Sequence, residues 1–188
     1  MRVIAGTARS IPLVAPEGKD TRPTTDRIKE TLFNILQNDI EGCSFFDIFA
    51  GSGAIGIEAL SRGAKHAYFV DNGRQAIEAI TANVRKCRFE DRADILKSEA
   101  AFAAERLMTK LPGGEHKIIF LDPPYEKGLE FPVLSALKRS GRLTEEDVII
   151  VETSLRADTE PFSEAGFEIV REKKYKNQKH LFLKERKA

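Results

Sequence analysis

Asp122-Pro123-Pro124-Tyr125 directly follows the apolar run Ile118-Ile119-Phe120-Leu121, so an acid, two prolines and an aromatic stand where a buried strand ends. Pro123 and Pro124 fix φ and offer carbonyls without N–H donors, Asp122 adds a carboxylate, and Tyr125 adds a flat face. Acceptors beside a ring suit a planar substrate that carries an amino group. A nucleobase fits: its exocyclic amino hydrogens can be accepted by Asp122 and a proline carbonyl while Tyr125 stacks on the ring. The competing reading is a proline-rich turn with Asp122 as its cap. What tips the balance is a second motif upstream, Phe45-Phe46-Asp47-Ile48-Phe49-Ala50-Gly51-Ser52-Gly53-Ala54-Ile55-Gly56, which reads as strand, glycine turn and helix.

Gly51, Gly53 and Gly56 have the G-x-G-x-x-G spacing of a nucleotide-binding turn, and Asp71 ends the next apolar run, Ala67-Tyr68-Phe69-Val70, 20 residues after Gly51. A carboxylate there can accept both hydroxyls of a ribose. Glycines and Asp71 alone would also fit a nicotinamide or flavin. Asp47, four residues before Gly51, separates the two cases, because a nearby carboxylate repels a pyrophosphate but can receive a ligand ammonium or order the loop. S-adenosyl-L-methionine has an ammonium and no phosphate. The Asp122 platform then falls at the end of the fourth strand, beside the point where a doubly wound sheet reverses its order, so cofactor and acceptor would share one crevice.

These motifs need an alternating α/β scaffold, and the apolar spacing supplies one. Strands are predicted to centre on Phe46, Phe69, Ile95, Ile119, Ile150, Ile169 and Phe182. Helices are predicted over residues 77–87 and 102–111, with Ile77, Ile80 and Val84 as core stripe, and after the glycine turn with Ile55, Ala59 and Leu60 inward and Gly63 as the stop. Residues 1–16 alternate enough for a short hairpin, and Ile28, Leu32, Ile35 and Leu36 form a helical stripe after a cap at Thr24 or Thr25.

Taken together, Asp47-x-Phe49-x-Gly51-Ser52-Gly53 and Asp122-Pro123-Pro124-Tyr125 resemble the amino-methyltransferases of nucleic acids. The segment Arg22-Pro23-Thr24-Thr25-Asp26-Arg27-Ile28-Lys29-Glu30-Thr31-Leu32-Phe33-Asn34-Ile35-Leu36 narrows the resemblance to the RsmD-type enzymes, which methylate the N2 amine of a guanine in bacterial 16S ribosomal RNA. The resemblance runs from the N-terminus to about Glu152. It implies a class I methyltransferase fold, a Rossmann-like, seven-stranded and mostly parallel sheet with an antiparallel last strand and an N-terminal extension. It also implies that Asp47, Phe49, Ala50, Gly51, Ser52 and Gly53 border S-adenosyl-L-methionine, Asp71 with Asn72 holds the ribose, Ser98 and Glu99 flank the adenine, and Asp122, Pro123, Pro124 and Tyr125 receive the guanine. The chain departs from the family at Ser98-Glu99-Ala100, where Asp-Ala or Asn-Ala is usual, at Ser10-Ile11 after Arg9, and at Tyr175-Lys176-Asn177-Gln178.

A length of 188 residues with 41% hydrophobic content suits one domain, residues 1–38 as an N-terminal extension and 39–188 as a catalytic core. No long apolar stretch opens the chain and no run of 18 apolar residues occurs, which points to a cytoplasmic protein with no membrane partner. Cys43 and Cys87 are isolated and His66, His116 and His180 are scattered, so neither a disulfide framework nor a metal site is predicted.

The net charge of +1 hides an asymmetry: residues 1–29 carry +3, residues 171–188 carry +6, and the middle carries −8. Basic ends are a usual footprint for nucleic acid, with Arg2, Arg9, Arg22, Arg27, Lys173, Lys174, Lys176 and Lys179 as candidate phosphate contacts. The favoured substrate is 16S ribosomal RNA, within a 30S subunit or an assembly intermediate, met by a monomer. The alternatives are the same chemistry on adenine N6 in DNA or other RNA, a nucleotide-dependent oxidoreductase, and a non-catalytic RNA binder. The lack of a target-recognition domain counts against DNA, Asp122 to Tyr125 against the oxidoreductase, and the cofactor crevice against the pure binder.

Overall fold

The computed structural model describes residues 1–16, 25–111 and 114–186. Within them run α1 (Asp26–Ile35), β1 (Ser44–Ile48), α2 (Ala54–Ser61), β2 (His66–Asp71), α3 (Arg74–Cys87), β3 (Ala93–Lys97), α4 (Ala100–Lys110), β4 (Lys117–Leu121), α5 (Glu130–Arg139), β5 (Val148–Ser154), α6 (Glu160–Glu164), β6 (Phe167–Lys174) and β7 (Gln178–Glu185). All seven strands join one sheet in the order β3-β2-β1-β4-β5-β7-β6. Strands β1 to β5 pair in parallel, and β7 lies antiparallel to both β5 and β6. Each of the seven predicted strand centres falls inside a strand. The chain order reverses between β1 and β4, which are adjacent, so their carboxyl ends open side by side.

Period-two alternation explains why β1 and β4 read as continuous apolar runs. Phe45, Ile118 and Phe120 pack on one face of the sheet with α1, α2 and α3, while Phe46, Ile48, Ile119 and Leu121 pack on the other with α4 and α5. Every one of these side chains is at most 1% exposed, and each contributes roughly 1.5 to 3 kcal/mol of burial.

The predicted cap at Thr25 is present: its hydroxyl accepts from Ile28 N at 3.4 Å, whereas Thr24, like Arg22, lies outside the described residues. Gly63, at φ +110°, follows the C-cap of α2 as predicted. Helix α2 differs from its predicted one-sided stripe, since all eight of its residues are buried. The cause is the N-terminal segment, which lies along the helix. Buried Glu58 accepts from Ile4 N (2.8 Å), Ala5 N (3.0 Å), Arg62 Nε (2.8 Å) and Lys29 Nζ (3.1 Å), pinning that segment, α2 and α1 together.

Residues 1–16 fold back as the short hairpin expected, antiparallel at the Arg2–Pro12 bridge, with Val3 N on Ile11 O (3.0 Å), Ser10 N on Val3 O (2.9 Å) and Leu13 N on Met1 O (3.0 Å). Pro12 has no N–H to lengthen the ladder, and the turn docks on α2: Thr7 N reaches Ser61 O (2.8 Å) and Ala8 N reaches Ser61 Oγ (2.9 Å). Gly6, at φ +82°, passes so close to Ser61 that a Cβ there would collide with the Ser61 carbonyl.

Candidate active site at the switch point of the sheet

The loops that leave β1, β2, β3 and β4 converge at the carboxyl edge of the sheet, and Asp71 ties three of them. Its Oδ2 accepts from Gly51 N (2.9 Å), its Oδ1 from Gly73 N (2.8 Å), and its carbonyl from Ser98 N (3.0 Å). The β1 turn is closed further by Ala50 N on Val70 O and Gly53 N on Ala50 O. Its three glycines divide their work. Gly51 (φ +55°) has open space where a side chain would stand, Gly53 (φ +73°) makes the turn into α2, and Gly56 lets α2 pack on β2, a Cβ there falling 2.4 Å from the Phe69 ring. Ser52 and Asn72 stand on the solvent side of this edge, half-buried and exposed respectively.

Phe49 and Glu126 hold left-handed backbone at φ 66° and 64°, a conformation that costs a non-glycine residue about 1 to 3 kcal/mol. They sit immediately before the glycine turn and immediately after the proline platform. Strain is therefore concentrated on both sides of one crevice, which sequence pattern did not disclose.

Asp47 is buried on β1, and its Oδ2 accepts from Gly56 N at 2.8 Å. Loss of water raises its carboxyl to about 7, the Gly56 bond pulling the other way and Asp71 adding to the rise. Of the two roles open to Asp47, ordering the turn is the one the geometry displays. Glu99, expected from the resemblance to flank an adenine, is exposed at the end of β3. Its carboxylate caps α4, accepting from Ala101 N (3.0 Å) and Phe102 N (2.9 Å), because an acid at an N-cap satisfies otherwise unpaired amides. Phe102, 62% exposed on the first turn of that helix, is the aromatic at this edge that the sequence reading passed over.

The Asp122–Tyr125 platform abuts the glycine turn through the backbone, since Asp122 N donates to Ile48 O at 3.3 Å. Asp122 keeps some solvent exposure, yet its carboxyl is held well above the ordinary carboxylate range by loss of water, then by the charges of Glu152 and Asp47. Pro123 is buried, Pro124 exposed and Tyr125 half-buried. The Tyr125 hydroxyl donates to Glu152 Oε1 at 3.0 Å, Glu152 Oε2 lies 2.8 Å from His180 Nε2, and His180 Nδ1 lies 3.2 Å from the Tyr175 hydroxyl. Sequence reading missed Glu152 and gave His180 no role. The available signal was an acid closing the apolar run Val148-Ile149-Ile150-Val151, where burial demands partners.

Antiparallel β7 brings the basic C-terminal turn to this same edge, because Gln178 pairs with Ser154 at the end of β5. Lys174 and Lys176 are exposed there, Lys174 with Glu172 at 3.7 Å. Lys179 does not join them. It is buried, with Nζ on Ala157 O (3.0 Å) and Glu172 (3.2 Å), so its predicted phosphate contact is replaced by an internal ion pair. Arg27 is exposed on the first turn of α1, and Arg2 pairs with Asp26 at 3.1 Å. Arg9 is exposed on the turn that packs against Ser61, at the opposite end of α2 from the glycine turn. A cavity of about 560 Å³ among Asp39, Glu41, His116, Glu146 and Lys184 shares no residue with the crevice.

The family described as conserved hypothetical protein 95 matches residues 1–184. The chain belongs to this, the RsmD family. It is 34% identical to the Escherichia coli protein named ribosomal RNA small subunit methyltransferase D over 173 residues, 92% of this chain and 84% of that one. It is 36% identical to the Haemophilus influenzae protein of the same name over 159 residues, 81% of this chain and 78% of the relative. The solved yhhF structure of Escherichia coli superposes with a TM-score of 0.80 at 31% identity, covering 100% of this chain and 99% of that one. The RsmD-family sheet described above is thus a class I methyltransferase sheet.

Proposed function

We propose that this chain transfers a methyl group from S-adenosyl-L-methionine to the exocyclic N2 amine of a guanine in 16S ribosomal RNA. The observation that carries the reading is the junction of the two motifs: the Asp122 platform is bonded to the end of β1, whose glycine turn is closed on Asp71. The names of the Escherichia coli and Haemophilus influenzae relatives support ribosomal RNA as the substrate.

The crevice fits the donor. Gly51 leaves space beside the turn, Asp71 offers further lone pairs at the end of β2 for ribose hydroxyls, and Asp47 and Asp71 supply negative charge for a cationic ligand without a phosphate-binding cation. When bound, S-adenosyl-L-methionine supplies an electrophilic methyl group on a sulfonium. The chain's residues act on the amine. An aryl amine gives its lone pair to the ring and is a poor nucleophile, so Asp122 and the Pro123 carbonyl accept its hydrogens and favour a pyramidal nitrogen. Tyr125 stacks on the extruded base, worth roughly 1 to 3 kcal/mol. Once the nitrogen carries positive charge its proton is acidic, and Asp122, held above its usual range by loss of water and then by Glu152 and Asp47, is suited to accept it.

Asp47, Phe49, Ala50, Gly51, Ser52, Gly53, Asp71, Asn72 and Ser98 contact the donor, and Lys174, Lys176 and Arg27 meet the RNA. The protein works as a monomeric cytoplasmic unit on a 30S particle or its precursor, with residues 1–38 serving as an extension of the core. Incubation with labelled methyl donor and either 30S particles, naked 16S RNA or duplex DNA tests this. Label on guanine N2 of an RNA substrate is expected, and label on DNA adenine would instead establish adenine-N6 chemistry.

A further inference from the structure

We propose that Glu152 is a positioning residue of this site, fixing through the Tyr125 hydroxyl the orientation in which the Tyr125 ring meets the acceptor base. The inference rests on the function proposed above. Tyr125 lies beyond β4, after two prolines and before the strained Glu126, so no strand ladder holds its ring. Its hydroxyl bond to Glu152 reaches back to the centre of the sheet, where β5 sits between β4 and β7. Glu152 is 4% exposed, and each of its carboxylate oxygens has one partner, Tyr125 on one and His180 on the other. His180 is fully buried across the β5–β7 pair, with Phe120 edge-on at 5.7 Å and the Tyr175 hydroxyl on its other nitrogen.

A carboxylate placed only to satisfy His180 would need no contact with the substrate platform. This one divides its two oxygens between His180 on β7 and the hydroxyl of Tyr125 on the platform, which is how a supporting shell locks a binding group. Its charge also faces Asp122. Glu152 therefore connects the sheet to both halves of the acceptor site, Asp122 by field and Tyr125 by hydrogen bond.

The chain has three tyrosines, so ring-labelled protein gives three Cζ signals that Tyr→Phe variants assign. Glu152→Gln and Glu152→Met should each move the Tyr125 Cζ signal, because that carbon reports the hydroxyl's hydrogen bond. At a pH where Asp122 is ionised in every variant, Tyr125→Phe and Glu152→Met should each lower kcat on RNA roughly ten- to a hundredfold, up to the cost of a reactant group displaced by 1 Å, with donor affinity unchanged. The double variant should then lose no more than either single one. An unmoved Tyr125 signal in Glu152→Gln, or losses that multiply in the double variant, would overturn the proposal. Should Glu152→Met fail to fold, Glu152→Gln and Tyr125→Phe carry the same comparison. Failure of the functional reading looks different: the parent chain would leave RNA unlabelled while the Tyr125 signal still reports the tether.

Discussion

At the scale of single residues, the crevice is a set of carboxylates held out of water, and that makes two groups sensitive to pH. Asp47 is raised to about 7 and Asp122 is raised well above its ordinary range, both first by desolvation. A raised carboxyl contributes stability that is present below its unfolded value and is lost as pH rises through its folded value. The folded chain should therefore lose stability between about pH 4 and 7 from Asp47 alone. Asp47→Asn, which keeps an oxygen for Gly56 N, should remove that slope and stabilise the free protein by a few kcal/mol at pH 8, in urea titrations at both pH values. On the function proposed above it should also weaken donor binding, because a negative charge behind the glycine turn is gone. Asp122→Ala should depress turnover far more than donor affinity. With Asp122 intact, turnover should rise with pH as its carboxyl ionises, and Glu152→Gln should move that limb to lower pH by removing one of the two charges that hold Asp122 up. Turnover of Asp122→Ala at the parental rate would remove Asp122 from the chemistry.

At the scale of elements, the strands were legible because β1 and β4 are buried on both faces and their apolar runs have no polar interruption except Asp47. The glycine turn was legible because its roles are backbone roles that only glycine fills. Gly56→Ala tests one of them: a methyl 2.4 Å from the Phe69 ring must push α2 off β2, and the variant should lose about 1 to 3 kcal/mol in denaturant melts. What the pattern left hidden were side chains whose partners come from distant elements. Glu58 and Asn83 look like ordinary polar positions on helices, yet Glu58 gathers the N-terminal segment. Asn83 is buried as well, bonding Val14 N, Val14 O and Ser52 O and so joining that segment to the glycine turn. Glu99 entered through the family resemblance, and its use as the N-cap of α4 shows only once that helix is placed one residue later. Lys179 was grouped with its basic neighbours, and only the pairing of β7 with β5 and β6 shows that it turns inward.

That correction changes what the β6–β7 turn should do. Neutralising Lys173, Lys174 and Lys176 together should weaken RNA binding and flatten its salt dependence while donor binding stays at the parental value, since each phosphate contact releases counterions. Lys179→Ala belongs to a different class. It removes a buried ammonium held by the Ala157 carbonyl and by Glu172 at the surface and should lower thermal stability, which scanning calorimetry would register.

At the scale of the whole molecule, sheet topology converts a scattered sequence into one working edge. Reversal of strand order puts the glycine turn beside the Asp122–Tyr125 platform, and the antiparallel β7 returns the basic C-terminal turn to the carboxyl ends of β4 and β5. The N-terminal charge is arranged differently, with Arg9 at the far end of α2 and Arg2 paired to Asp26. Charge counting along the chain could not separate these two ends, because the sign was the same and only the fold decides which lysines face the crevice. The activity proposed for this edge is methylation of a guanine amine of small-subunit ribosomal RNA. Mass mapping of 16S RNA from cells with and without this protein tests it most directly. One guanine should lose its N2 methyl group in the absence of the chain and regain it when the parent, but not Asp122→Ala, is restored. Identical 16S RNA from both strains, with a methyl group missing from adenine elsewhere, would contradict it.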